Sequence, residues 1–394
     1  MGTKQYDSAT DLLTFSRASS ATFLGSNGLL QTAANNIPRI EYDTTGAVKG
    51  LLIEEARTNL VTSSGDLSGT DWAGGLAMGP LTVGSPFGTY QTISPPSDGG
   101  NLAAAQGFQI GIQITVGATY VGWALVKYSA GSGWFDINMY DTGKGSAQAY
   151  FDVQNGVVGA KNAAIIGHGM VDYGDGWWLC WASANAVATS GGLSVEVPNG
   201  NGVQTCTATD VILIAGTQFE LGSFLTSYIP TTGAAATRAR DLAEIPTSAF
   251  GYNNDAGTVV CEFDSATISG STIFTLDLDG AGFSNGITAI IYPAGRISYQ
   301  AVTVGATQVN LNFDAYATAS QVSKVATVYA KDDFAAVLNG GAVATDTAAS
   351  LPTVDLLRLG VYLGGASFPM SGHIKSIQYY PRRLTNTQLQ ELTT

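Results

Sequence analysis

Charge is scarce in this chain. Only 12% of its 394 residues are Asp, Glu, Lys or Arg, about half the share usual in soluble proteins. Acids dominate that small set, with 30 Asp and Glu against 17 Lys and Arg and a net charge of −13. The basic stripe that a nucleic-acid binder needs is missing, and the same sign disfavours docking on anionic lipid. Histidine is nearly absent: His168 and His373 are the two. Neither belongs to a recognisable Ser/His/Asp grouping, and no GxSxG precedes a helical pattern. His168, in "IIGHGMVDYGDG", reads as a turn histidine, and His373 as a strand residue. The three cysteines, Cys180, Cys206 and Cys261, are scattered without CxxC spacing, so no zinc cluster is indicated. Cys180 and Cys261 sit in strand-like runs and read as small buried thiols. No run of about twenty apolar residues occurs, so no membrane span is expected. "MGTKQYDSATDLLTF" lacks a basic region followed by an apolar one, so no export signal is expected either. P-loop and dinucleotide fingerprints are missing, and strands do not alternate with helices to hold one.

The residues that are present point to β structure. Hydrophobic residues at 45% supply cores, and 49 glycines with few helix-favouring Lys/Glu runs suit short strands joined by tight turns. Residues 1–58 read as small hairpins, with Asn27-Gly28 and the stretch Asp43 to Gly46 as turns. Such a segment has little core of its own and should lean on the later chain or on a partner. Residues 59–238 read as one β domain. "WFDINMYD" alternates cleanly, with Phe135, Ile137 and Met139 on one face and Trp134, Asp136, Asn138 and Tyr140 on the other. "TYVGWALVKYSA" and "DGWWLCWASA" read as central strands, and the turn-rich "SYIPTTGAAATRARD" is the best linker. Residues 239–394 show the same alternation in a new set of strands. Phe274, Leu276 and Leu278 form an inner face there, and Asn339-Gly340 marks a hairpin. One short C-terminal helix is expected, with Thr385 and Gln388 as a capping box. The expected fold class is all-β, two tandem sandwiches behind a short hairpin-rich segment.

Certain stretches carry a resemblance. "FSRASSATFLGSNGLLQTAANNIPRIEYD", then "GLLIEEARTNL", Asp71-Trp72 and "GTQFELGSFLTSYIPTTGAAATRARD" resemble a pattern of bacteriophage virion fibre and head-spike proteins, where the last stretch closes a jelly roll similar to carbohydrate-binding modules. Residues 239–394, through "GHIKSIQYYPRRLTNTQLQELTT", resemble the concanavalin A-like lectin/glucanase superfamily. The resemblance implies two tandem jelly rolls in a fibre or spike subunit, displayed on the virion surface after synthesis in the host cytoplasm. It implies attachment to other virion proteins through residues 1–58, a homo-oligomer with a trimer favoured, and host-surface polysaccharide as the outward partner. A decoration protein that binds only capsid or neighbouring subunits stays open, as does a polysaccharide depolymerase.

Chemistry narrows the candidate residues. Glu54 and Glu55 stand side by side, but adjacent strand residues point to opposite faces and cannot flank one bond. Glu55 and Arg57 share a face and suit a structural ion pair. A complete catalytic set is missing: Glu262 with Asp264, and Asp277 with Asp279, are fragments of the Glu-x-Asp-x-Glu strand of lectin-like glucanases, and they are the residues a depolymerase would use. No cofactor is expected. Asp277 and Asp279 in "LDLDGAG", like "DTGKG", could contribute oxygens to calcium, but turn chemistry explains Asp-Gly without metal. Sugars bind largely by stacking on aromatic rings, with amides and carboxylates fixing the hydroxyls. All six Trp fall between 72 and 181, and the Trp134, Asp136, Asn138 and Tyr140 face has the composition of a glycan groove. The same row would also suit a subunit interface.

Overall fold

The structure, a computed structural model, describes residues 12–394 except 70, 98–99, 102–105, 142–144, 268–269, 280–283 and 363–367. Among the described residues, four large antiparallel sheets form two jelly-roll-type β-sandwiches, as the alternating segments predict. The helix Asn386–Thr393 begins at Thr385 with the expected capping box. The turns at Gly28, Gly46 and Asn339-Gly340 all carry the left-handed backbone their sequences announce.

One sandwich is the middle of the chain. Its first sheet runs Ile165–Asp172, Trp177–Asn185, Thr119–Ala130, Val211–Leu221, Gly88–Ser94, Ala77–Met78. Its second runs Val157–Lys161, Gly145–Asp152, Trp134–Asp141, Ser190–Glu196, Gln106–Gln113, Ala73–Gly74. Phe135, Ile137 and Met139 point between the sheets, where they meet Val126, Phe151, Leu193, Val195, Ile214 and Cys180. Each large apolar side chain withdrawn from water there contributes about 1.5–3 kcal/mol. His168 corrects the turn reading: it lies within the strand Ile165–Asp172, opposite Ala182.

The other sandwich is built from both sides of that middle block, and here the strands cross the expected boundary at residue 58. Thr14–Ser16 pairs with Leu242–Pro246 at the edge of one sheet. Val48–Ile53 is inserted in the opposite sheet between Ile40–Tyr42 and Gly372–Tyr380, with Leu51 opposite Ile374. Phe15, Leu51 and Ile53 are buried in the same core as Phe263, Phe274, Leu276, Tyr299 and Phe334. The early segment does lean on the later chain, but on the far sandwich rather than the near one. Gly50 makes the pairing feasible: a Cβ there would lie 2.6 Å from the Ile374 carbonyl oxygen, and its φ of +132° suits glycine.

The two outer faces that could bury apolar surface are covered. Leu384 and Leu389, at the C-terminal helix, pack on Val260, Ala326, Val328 and Val337. In the middle sandwich, Trp123, Leu125, Trp177, Leu179 and Tyr228 form a second small core, with Leu30 of the hairpin Ala21–Leu24/Leu30–Ala33 and Phe87 packed against it. Tyr228 belongs to the stretch read as a linker, and Ile229, Thr231, Arg238 and Asp241 are buried beside it. That stretch is part of the packed junction, not a free connector.

Candidate functional site

Two groups of buried carboxylates dominate the polar interior. The first lies where the sandwiches meet. The strand Val48–Ile53 ends just before Glu54, whose carboxylate turns inward to accept from Arg39 at 2.8 Å, with Arg238 at 3.3 Å. It also accepts from the Ser227 backbone N–H and hydroxyl, both at 2.7 Å. Asp241 takes Arg39 at 2.5 Å and Arg17 at 3.1 Å, and accepts from the Glu54 backbone N–H at 2.9 Å. Next to this group, Arg57 pairs with Glu55 at 2.5 Å and stacks 4.6 Å from the Phe224 ring centroid. Gly222 makes room for that guanidinium, since a Cβ there would sit 1.6 Å from Arg57 Nη1. Arg57 also acts on buried Glu220. Arg17, Arg39, Arg57 and Arg238 thus stand against Glu54, Glu55, Glu220 and Asp241. Burial pushes the Glu54 carboxyl up, but Arg238, Arg39 and Ser227 outweigh it and hold it at about 2. Both oxygens of Glu54 are committed, so the paired glutamates of "GLLIEEARTNL" are architecture.

The second group lies on the outer face of the sheet containing Trp134–Asp141. The structure keeps Trp134, Asp136, Asn138 and Tyr140 on one face, as alternation predicts, but it does not leave them all in solvent. Tyr140 is 38% exposed and Trp134 half-buried, whereas Asp136 is fully buried and Asn138 nearly so. The cover comes partly from residues 199–206: the Gln204 side-chain amide donates to the Tyr150 hydroxyl at 2.6 Å and to Gln148 at 3.3 Å. Glu196, which sequence reasoning missed, is the direct cross-strand partner of Asp136. The Glu196 carboxylate accepts from the Asn138 amide at 2.9 Å, the Ser194 hydroxyl at 3.1 Å and the Gln148 amide at 3.4 Å. Burial, then the neighbouring Glu196, pushes Asp136 well above the usual carboxylate range, against a smaller pull from the Tyr150 hydroxyl. Burial raises Glu196 as well, against the pull of its three hydrogen bonds. The only sequence signal for Glu196 is its alternation with Ser194; the register that sets it opposite Asp136 is a tertiary fact.

The remaining acidic candidates are all held by cations. Asp277, Asp279 and Glu244 surround the Arg358 guanidinium, Asp279 at 2.7 Å and Glu244 at 2.7 Å. Burial raises Asp277 to about 6, and Arg358 opposes the rise. One oxygen of each of Asp277 and Asp279, the residues considered for calcium, is therefore turned on a guanidinium, while Asp277 Oδ1 is buried without a hydrogen-bond partner among the described residues. Glu262 pairs with Lys375 at 3.0 Å. Asp264 accepts from His373 Nδ1 at 2.9 Å, while His373 Nε2 donates to Glu41 at 2.9 Å and Lys49 reaches Glu41 at 3.1 Å. Burial lowers the His373 imidazole, but the hydrogen bonds to Asp264 and Glu41 outweigh it and raise it. The three cysteines are buried, and none is in a disulfide. Among the described residues, no helix is long and apolar enough to cross a membrane, and no group of three or more His, Cys, Asp or Glu is placed to hold a metal. A cleft of roughly 80 Å³ opens between the sheets of the middle sandwich beside Tyr140, lined by Tyr120, Met139, Asn185 and Phe219.

No family model matches the chain. No curated protein matches it either. Solved structures do. The carbohydrate-binding module CBM40 of a Ruminococcus gnavus IT-sialidase, bound to α2,3-sialyllactose, is 20% identical, with a TM-score of 0.33 over 36% of this chain and 84% of that one. A heptameric SAP-like pentraxin from Limulus polyphemus is 14% identical, TM-score 0.30, over 36% and 73%. A leech intramolecular trans-sialidase is 21% identical, TM-score 0.32, over 37% and 24%. These likenesses are partial, and the two-sandwich architecture rests on the strand pairing itself.

Proposed function

We propose that the protein is a glycan-recognising subunit of a bacteriophage virion, a fibre or spike on head or tail, whose middle sandwich meets host-surface polysaccharide. The observation that supports this is the one outer face of that sandwich left without an apolar cover. Trp134 and Tyr140 stand at the two ends of one strand, six residues or about 20 Å apart, with amides and carboxylates between them. Rings at that spacing fit well-separated sugars of one chain rather than adjacent ones, and Gln148 and Gln204 at the surface between them fit hydroxyls. Asp136 and Asn138, being buried, do not touch sugar; Asn138 instead donates to Glu196, which also accepts from Gln148. The virion setting is supported by the fibre-and-spike resemblance of residues 15–60 and 216–241, which supply all the arginines of the junction.

Attachment to other virion proteins through residues 1–58, and assembly as a trimer, belong to the same reading. Because residues 12–53 are built into the fold, attachment is tested by changing exposed Leu29, Ile37 and Val48 to Asp, not by deletion. The deciding experiment for recognition is binding of the purified protein to intact host cells and extracted surface glycans, with Trp134→Ala alongside. Saturable binding that the variant loses supports recognition at this face. A folded protein that binds no host glycan would move the function to capsid decoration.

A further inference from the structure

We infer that Asp136, Asn138 and Glu196 form a binding site for a hard divalent cation, calcium foremost, beneath the outer face of the middle sandwich. Asp136 stands directly opposite Glu196 on one neighbouring strand and opposite Tyr150 on the other, all three on the same side of the sheet. Residues so placed have Cβ atoms about 4.5–5.5 Å apart, close enough for both carboxylates to reach one ion at the 2.3–2.6 Å typical of calcium–oxygen contacts. Asp136 is fully buried, and among the described residues neither of its carboxylate oxygens has a hydrogen bond of ordinary geometry, the Tyr150 hydroxyl being the one donor that acts on it. The Asn138 Oδ1 is buried and unpartnered too, because its amide nitrogen is turned to Glu196. Three acceptor oxygens therefore lie on one face beside a second carboxylate, with the Tyr150 hydroxyl the one donor that acts on them.

Two other readings are weaker. A proton shared between Asp136 and Glu196 would relieve one oxygen of the three, since a carboxyl carries one donor. A cation satisfies them together and offsets the charge that burial otherwise penalises. Among the described residues, no Arg or Lys is one of the groups that act on either carboxylate. A catalytic acid pair would need substrate contact, and both side chains are completely withdrawn from the surface. The all-oxygen donor set excludes soft metals. The burial of both carboxylates favours calcium over magnesium, which keeps several of its waters. Tyr150, whose oxygen accepts from Gln204, and Ser194 at the edge of the group can complete the shell. The site rests on these oxygens alone and stands whether or not a glycan binds above it.

The test uses the full chain, stripped with EDTA. Added calcium should raise its melting temperature, and terbium, a luminescent calcium substitute, should give a saturable emission excited through Trp134 and Tyr150 and displaced by calcium. Asp136→Asn, which keeps the shape, should lose both responses. Asp279→Asn, in the Arg358 group of the other sandwich, should keep both. A wild-type protein with no calcium-dependent rise in melting temperature and no saturable terbium signal would overturn the site. So would responses that survive in Asp136→Asn and vanish in Asp279→Asn.

Discussion

Glu54 and Asp241 at the junction, and Asp136 and Glu196 under the outer face, are buried to nearly the same degree, with exposures of 4%, 1%, 0% and 0%. Their states are opposite. The junction acids each meet guanidinium groups, and Glu54 is held at about 2. The outer-face acids meet only amides, hydroxyls and one another, and both titrate above the usual range. Burial alone does not decide whether a carboxyl is charged; the charge of the group it faces decides. A compensated cluster is a joint. An uncompensated one is a site with an unfilled requirement.

The largest effect expected from breaking this contrast is at the joint. Asp241→Ala leaves Arg17 and Arg39 buried without their shared acid and should destabilise the protein by about 3–5 kcal/mol. Urea unfolding followed by tryptophan fluorescence reads it, and a loss below about 1 kcal/mol would show the joint to be ornamental. Next comes pH. Glu54 has a folded-state value below its ordinary 4.5, so its contribution is complete above 4.5 and is lost as pH falls toward 2. Asp136 has the opposite sign: its folded value is raised above 3.8, so stability is lost as pH climbs from about 3.8 through the raised value. Melting curves in EDTA should therefore show Glu54→Gln flattening the acid limb. Asp136→Asn should flatten the decline above it and leave the protein more stable than the wild type at pH 7 in EDTA. Matching slopes for the two variants would erase the distinction between joint and site. The smallest effect is at the rim of the joint. The Glu55 side chain is 28% exposed, so Glu55→Gln should cost less than about 1 kcal/mol by the same unfolding measurement.

Much of the fold was legible because the signals are local. Alternation in "WFDINMYD" named the inward residues, Asn-Gly and Asp-to-Gly stretches named the turns, and Thr385 with Gln388 named the helix start. The Glu55–Arg57 ion pair expected from strand alternation does form, although Glu55 lies in the break between Val48–Ile53 and Arg57–Asn59. The features that escaped were non-local. Nothing in "VKGLLI" says that its partner strand lies more than three hundred residues later, and the small residues of "TTGAAATRAR" hide that Arg238 is fully enclosed. Alternation also gave Asp136 and Asn138 the right face but the wrong surroundings, because a period of two says which side a residue takes and not what later folds over it. Glu196 joined them only through register.

The insertion of one sandwich into the other has a kinetic consequence. Leu51 cannot meet Ile374 until the chain between them has been made and has brought its ends together. Those ends are adjacent in the finished protein, since Arg57–Asn59 pairs with Ala236–Arg238. Folding of the middle block thus closes the long loop in advance and removes most of the entropic barrier to joining the two halves of its neighbour. During synthesis the early pair Ile40–Tyr42 and Val48–Ile53 waits with one edge of Val48–Ile53 open, and the block that matures after it acts as the clasp that delivers the late strand to that edge.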